Sequence, residues 1–220
     1  MSTTPSPAPR VRLDLDARRE QLMRIGLELF STNSYDAVSI DEIAARAGIS
    51  KGLLYHYFPS KREFYVAGVR AAAAQLREVV EPDPERPPPE RLRVSLEAYL
   101  DYVEHHAEGY IALMRGGIGS DAEVREIVEE SRTVIIDRAI ADLPLRTEPT
   151  TLLRLAMEGW VGYVEATSLS WLEHRTVPRK RLRELLFNTF LVVVGAAVQA
   201  DPALELDLAA LAGGAIQPPQ

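Results

Sequence analysis

The stretch SIDEIAARAGISKGLLYHYFPSKREF, residues 39–64, decides how the rest of the chain is read. Three helix starts follow one another inside it. Ser39 with Glu42 three positions on forms a capping box, and Val38 can staple onto Ile43. Ser50 is a second N-cap, with Ile49 and Leu54 in staple positions, and Ser60 with Glu63 is a third. Each cap hydroxyl satisfies a backbone N–H that the first helical turn leaves unpaired, worth about 1 kcal/mol. Gly48 sits where a left-handed residue ends a helix at low cost. The spacing predicts a helix over 40–47, a tight turn at 48–49, a helix over 51–57 and a long helix from 61 to about 80. That is the layout of a helix-turn-helix.

The middle one of these helices has too many polar tips for a core helix and too much aromatic surface for a solvated one. Leu54 and Phe58, four apart, face the core, which leaves Lys51, Gly52, Leu53, Tyr55 and His56 on the other faces. The first turn of such a helix meets base edges in the major groove. Lys51 and Gly52 occupy that turn, and Gly52 permits close approach. Tyr55 and Tyr57 carry hydroxyls able to donate to phosphate oxygens, and Lys61 places an ammonium at the start of the next helix. Ser39 and Ser50 are caps first, with phosphate contact as an added role. The DNA-binding candidates are therefore Ser39, Ser50, Lys51, Gly52, Leu53, Tyr55, His56, Tyr57 and Lys61. For Tyr57 plain packing is the competing reading, and for Lys61 a solvated charge.

A net charge of −7 argues against nucleic-acid binding until its distribution is considered. Residues 1–65 hold nine Lys/Arg against eight Asp/Glu, and residues 66–220 hold sixteen against twenty-four. The N-terminal part is near neutral and can present a basic face. Two of only three lysines, Lys51 and Lys61, flank the aromatic turn. Cysteine is absent, which removes disulfides and thiolate metal sites. No 18-residue apolar run is present, so no membrane span is expected, and the expected compartment is the cytoplasm. Residues 1–15, rich in Pro, Ser and Thr, read as a disordered tail. Arg10, Arg12, Arg18 and Arg19 could reach the minor groove or backbone from a flexible arm, although such charges are more often only solvated.

Residues 39–64 closely resemble the DNA-binding signature of the TetR family of transcriptional regulators. Cap, Ala-rich helix, Ala-Gly turn, Ser-Lys-Gly, Leu-Tyr, Phe and Ser-Lys all fall in place, and the likeness covers about residues 16–80. The resemblance implies an all-α homodimer, usually a repressor, released from its operator by a small ligand bound in the C-terminal domain. It implies phosphate contact at Ser39, Tyr55 and Lys61, and base or sugar contact at Lys51, Gly52, Leu53 and His56. Many members carry His at the position of Tyr57. Here His56 precedes Tyr57, which leaves open which ring reaches a phosphate.

The expected architecture is all-α. An N-terminal three-helix helix-turn-helix domain over 16–80 leads through a Pro-rich linker, 81–90, to a C-terminal helical bundle over 91–200 for ligand binding and dimerisation, and then to a tail, 201–220. Helices are expected near 90–107, 109–115, 121–142, 150–174 and 178–200, with Pro149 and Pro178 in first turns. Residues 185–198, apolar nearly all round, need cover on more than one side. The dimer candidates are Leu152, Ala156, Gly159, Leu186, Phe190, Val193 and Ala197, with an ordinary intrachain core as the competing reading. The pocket candidates are Tyr99, Tyr102, Tyr110, Met114, Met157, Trp160, Tyr163 and Trp171, with His106, Arg115 and Glu158 as polar anchors. Gly68, in mid-helix, could ease bending, with close packing the stronger reading.

Catalysis has little support. His105 and His106 are adjacent and do not share a helix face, no His pair is spaced for a metal, and RGGIGSD, 115–121, is only part of a dinucleotide fingerprint. No cofactor or metal is expected. The expected partners are a palindromic double-stranded operator, a second copy of the chain and a small effector, with no membrane. Two alternatives stay open: a helical small-molecule-binding or enzymatic protein that keeps the helix-turn-helix as scaffold, and an activator or architectural DNA-binding protein.

Overall fold

A computed structural model of the chain describes residues 15–31, 33, 35–117 and 121–211. Every named element in it is helical. The N-terminal domain comprises α1 (Leu15–Ser31), α2 (Ile40–Arg46), α3 (Lys51–Tyr57) and α4 (Lys61–Val79). The three hydroxyl caps form: Ser39 Oγ accepts from Glu42 N–H at 3.0 Å, Ser50 Oγ from Leu53 N–H at 3.2 Å and Ser60 Oγ from Glu63 N–H at 3.1 Å. Gly48 takes φ 63°, the left-handed turn between α2 and α3. Leu22, Leu29, Ile43, Leu54 and Phe64 are buried between these helices. The Phe64 ring stands edge-on to Phe58 at 4.8 Å and tilted against Phe30 at 5.9 Å. Arg10 and Arg12 lie outside the described residues. Arg18 hydrogen-bonds Gln21, and Arg19 sits over the Phe58 ring, so both lie against the domain.

Gly26 lets α1 approach that ring. A Cβ there would lie 2.5 Å from Phe64 Cζ and 2.7 Å from Cε1, so the fully buried ring would have to shift. Alanine gains about 1 kcal/mol of helix propensity over glycine, while overpacking a core costs about 1–3 kcal/mol. Gly26→Ala is expected to lower the melting temperature; a higher one would show that the ring yields freely.

The C-terminal domain comprises α5 (Pro88–His105), α6 (Ala107–Ala112), a π-helical turn (Leu113–Gly117), α7 (Ala122–Ala141), α8 (Thr151–His174), α9 (Arg179–Ala200) and α10 (Leu208–Leu211). Pro88 and Pro89 occupy the first turn of α5, so the helix begins inside the expected linker. Pro178 takes the N-cap position of α9, and Thr150 caps α8, which places Pro149 before the helix. Trp160 anchors the core: its indole N–H donates to Leu186 O at 3.1 Å, and its ring meets Phe190 at 5.0 Å. Residues 201–211 pack back onto the domain. Leu204 and Leu211 are buried, and Arg146 N–H donates to Glu205 O beside a bridge between Leu145 and Leu206.

The dimer assignment needs correction on α9. Leu186, Phe190 and Ala197 face the subunit's own core, as the Trp160 contacts require. The large apolar residues exposed on this helix are Leu185 and Val192, and on α8 they are Leu152 and Leu155, with Gly159 also exposed on α8. Ala156 and Val193 are half-buried. By length and composition α9 is apolar enough to cross a membrane, but here one side of it packs on α5 and α8.

The two domains share α4, which packs on α1 at one end and against α5 and α7 further along. Arg62 forks onto Asp121 at 2.6 and 2.8 Å and reaches Glu123 at 3.2 Å. That contact holds the Asp121 carboxyl below the usual carboxylate range, while Asp121 also caps α7. Beneath it Val66 and Val69 pack on Val124 and Ile127.

Candidate nucleic-acid interface and ligand cavity

α3 is seated by Leu54 and Phe58, both buried, and presents the rest of its surface outward. Lys51, Gly52, Leu53, Tyr55 and His56 are exposed, and Gly52 has nothing within 4 Å of an added Cβ. Ser39 and Ser50 are the exposed caps of α2 and α3. Lys51 Nζ is held by Asp41 at 3.0 Å; both are well exposed, and water weakens such a pair. Lys61 Nζ sits 4.4 Å over the Tyr35 ring, which fixes its direction while leaving it half-exposed. Tyr57 is half-buried against the N-terminal core, edge-on to His56 at 5.6 Å. The outward ring beside Tyr55 is thus His56, and Tyr57 divides its surface between packing and solvent. This face offers hydroxyls, an imidazole and two cations in one patch, the chemistry of phosphate and base-edge contacts.

A cavity of about 230 Å³ runs beside α4 in the C-terminal domain. Its wall takes residues of α4 from Tyr65 to Val80, which at 1.5 Å per residue is a path of roughly 22 Å. The lining is mostly apolar, from Val69, Leu76, Leu96, Ile135, Trp160 and Val164 among others. Polar groups enter from Tyr99 and Tyr110, whose hydroxyls bond each other at 2.8 Å, and from the Arg132–Glu165 pair, joined at 2.9 and 2.6 Å. Burial pushes the Tyr99 hydroxyl up to about 12 and Tyr110 well above its ordinary value, so both stay protonated at neutral pH. Tyr102, pushed up to about 12 by burial, donates to Ala72 O at 3.0 Å and ties α5 to the middle of α4. Its own backbone carbonyl accepts from His106 Nδ1 at 2.8 Å, which leaves His106 Nε2 as the free ring nitrogen.

The N-terminal residues 22–67 match the family model for bacterial regulatory proteins of the tetR family, and residues 88–193 match the tetracyclin repressor-like C-terminal domain. A TetR-family regulator of Streptomyces coelicolor superposes with TM-score 0.82 at 34% identity, covering 92% of this chain and 89% of that one. The chain belongs to the TetR family of transcriptional regulators. Two further relatives are the activator FasR of Mycolicibacterium smegmatis and the repressor KstR of Rhodococcus jostii. FasR is 34% identical over 60% of this chain and 61% of its own length, so under two thirds of it is matched; KstR is 27% identical over 72% and 74%. FadR of Bacillus subtilis, solved with stearoyl-CoA, has the same fold, with TM-score 0.60 at 16% identity over 80% of this chain and 97% of that one. As a TetR-family protein the chain is a DNA-binding transcriptional regulator rather than an enzyme.

Of the pocket candidates, this TetR-family chain brings Tyr99, Tyr102, His106, Tyr110, Met114 and Trp160 to the cavity wall. The other five lie elsewhere. Met157 is buried in the helical core without lining the cavity, and Tyr163 is partly buried against that core. Glu158 is exposed on α8. Arg115 is exposed and forks onto Glu173. Trp171 spends its indole N–H on Val177 O at 2.8 Å and closes the α8–α9 turn. Sequence reasoning missed Arg132 and Glu165, which lie 33 positions apart and meet only in the fold. It also missed the cavity wall of α4. Gly68 lines that wall, and an added Cβ would meet only Phe30 at an ordinary 3.6 Å, so tight packing does not require it.

Proposed function

We propose that the chain is a homodimeric repressor released from a palindromic operator by a small, largely apolar ligand. The observation that carries this is the double service of α4: it starts at the helix-turn-helix and forms one wall of the cavity for most of its length. A ligand that fits one tilt of α4 better than another shifts the two α3 helices in or out of register with successive major grooves, about 34 Å apart. It does so only through its differential affinity for the two arrangements. The apolar wall supports an apolar effector, and the stearoyl-CoA held by FadR in this fold agrees with it. The exposed apolar residues of α8 and α9 support the dimer. FasR is named an activator, which supports a second reading with the same DNA and ligand sites and the opposite output. Reporter expression from the bound promoter, with and without the protein, separates the two.

In this reading Tyr55, Lys61, Ser39 and Ser50 hold phosphates. Lys51, Gly52, Leu53 and His56 meet base edges or sugars, and Tyr57 supports the face from behind. Lys61→Ala is expected to weaken binding to all duplexes and to flatten the slope of log affinity against log salt by about 0.9 per subunit. Lys51→Ala is expected mainly to relax sequence preference. Titrations at several salt concentrations on specific and random duplexes check both, and an unchanged slope for Lys61→Ala rules out its phosphate contact.

A further inference from the structure

The charged side chains that line the cavity are Arg132, Arg138, Asp142 and Glu165. Each is already met by an opposite charge within the chain. Arg132 is forked by Glu165 and also bound by Glu129, Arg138 pairs with Glu81 at 2.9 Å, and Asp142 pairs with Arg91 at 2.7 Å. Tyr102 and His106 Nδ1 are used up in the bonds that tie α5 to Ala72 O and to itself. The Tyr99–Tyr110 pair differs. Two phenols hold two hydroxyl hydrogens, and their mutual bond consumes one. Ser168 Oγ is fully buried beside Tyr99 as a third hydroxyl, and three hydroxyls hold three hydrogens for two mutual bonds, so one remains. The pair can therefore turn either way, donating outward to a carbonyl or accepting from a hydroxyl. Both tyrosines line a cavity whose wall is otherwise mostly hydrocarbon.

We propose that the Tyr99–Tyr110 hydroxyl pair is the binding subsite for one uncharged oxygen, a hydroxyl or an ester-type carbonyl, on an otherwise hydrocarbon ligand, and that Glu165 makes the site reject free carboxylates. The proposal rests on the reading of the cavity as the effector site. A neutral oxygen takes the hydroxyl hydrogen that the Tyr99, Tyr110 and Ser168 cluster has left over. A carboxylate finds its nearest cation, Arg132, already neutralised, and stands beside the Glu165 charge in a poorly solvated place. Glu165 acts through Arg132 and is a positioning residue.

The test uses the full chain and ten-carbon probes, decan-1-ol, methyl decanoate and decanoate, each titrated by displacement of a fluorescent reporter at neutral pH. The wild type is expected to hold the alcohol and the ester roughly tenfold tighter than the carboxylate. Tyr110→Phe should cost the alcohol and ester about fivefold and leave decanoate unchanged. Glu165→Gln removes the negative charge a carboxylate would face and leaves Arg132 paired with Glu129 alone, and should raise decanoate affinity relative to decan-1-ol by roughly tenfold, with the melting temperature as the control for folding. If decanoate binds the wild type as well as the alcohol does, or Glu165→Gln fails to shift the order, the subsite proposal falls while the cavity remains an effector site. If none of the probes displaces the reporter, both fall.

Discussion

Replacing Phe64 with alanine is expected to melt the N-terminal helices away from a still folded C-terminal domain and to abolish DNA binding. Phe64 is fully buried where α1, α3 and α4 meet, in contact with Phe30 and Phe58 and under Gly26. Truncating a buried Phe costs about 3–5 kcal/mol, because transfer energy and an unfilled cavity add. The ring sits at the centre of this small core, in ring contact with Phe30 and Phe58. Its α2 and α3 are each seven residues long, too short to persist without tertiary support. Hydrogen exchange should show lost protection in α1–α3 and retained protection in α8 and α9. The effector cavity, built mainly from the other domain, should still bind its ligand. Equal protection of α3 in the variant and the wild type would mean that this ring does not hold the domain together.

Val192→Arg is expected to give a folded monomer that has lost most of its affinity for DNA. Val192 is 70% exposed and Leu155 61%, and Leu185 and Leu152 extend the patch along α9 and α8. Gly159, Gly162 and Gly195 have nothing within 4 Å of an added Cβ, so a second pair of helices can come close. In the lone subunit an arginine at 192 remains in water and costs little. Across a two-fold axis it enters the interface twice, and each copy must be buried without a partner. Joining two recognition domains raises duplex affinity by about 10²–10⁴ over one alone, and the variant should lose a factor of that size. Sedimentation of the protein alone and titration with duplex read the two effects separately. A variant that stays dimeric places the interface elsewhere.

The uneven legibility of the sequence has a physical cause. Hydroxyl caps, a left-handed glycine and seven-residue helices are local, and local chemistry fixed α2, α3 and the start of α4 in residues 39–64. The face of α9 is not local. Consecutive helix positions differ by about 100°, and when 185–198 is apolar nearly all round, no polar stripe says whether Leu185 or Leu186 faces the core. The indole N–H of Trp160, bonded to Leu186 O, makes that choice in three dimensions. Aromatic residues in α8 misled for a related reason: Trp171 has a polar edge, but the nearest carbonyl, Val177 O, claims it. Arg132 and Glu165 read as ordinary surface charges on separate helices until packing of α7 on α8 joins them.

The central claim is that two copies of α3 dock end-on in neighbouring major grooves. Selection of bound duplexes from a random pool by the ligand-free protein, followed by sequencing, tests it most directly. The account predicts an enriched inverted repeat whose half-sites are centred about one helical turn apart, or a multiple of it. A pool that yields no motif, or a single unsymmetrical one, contradicts it.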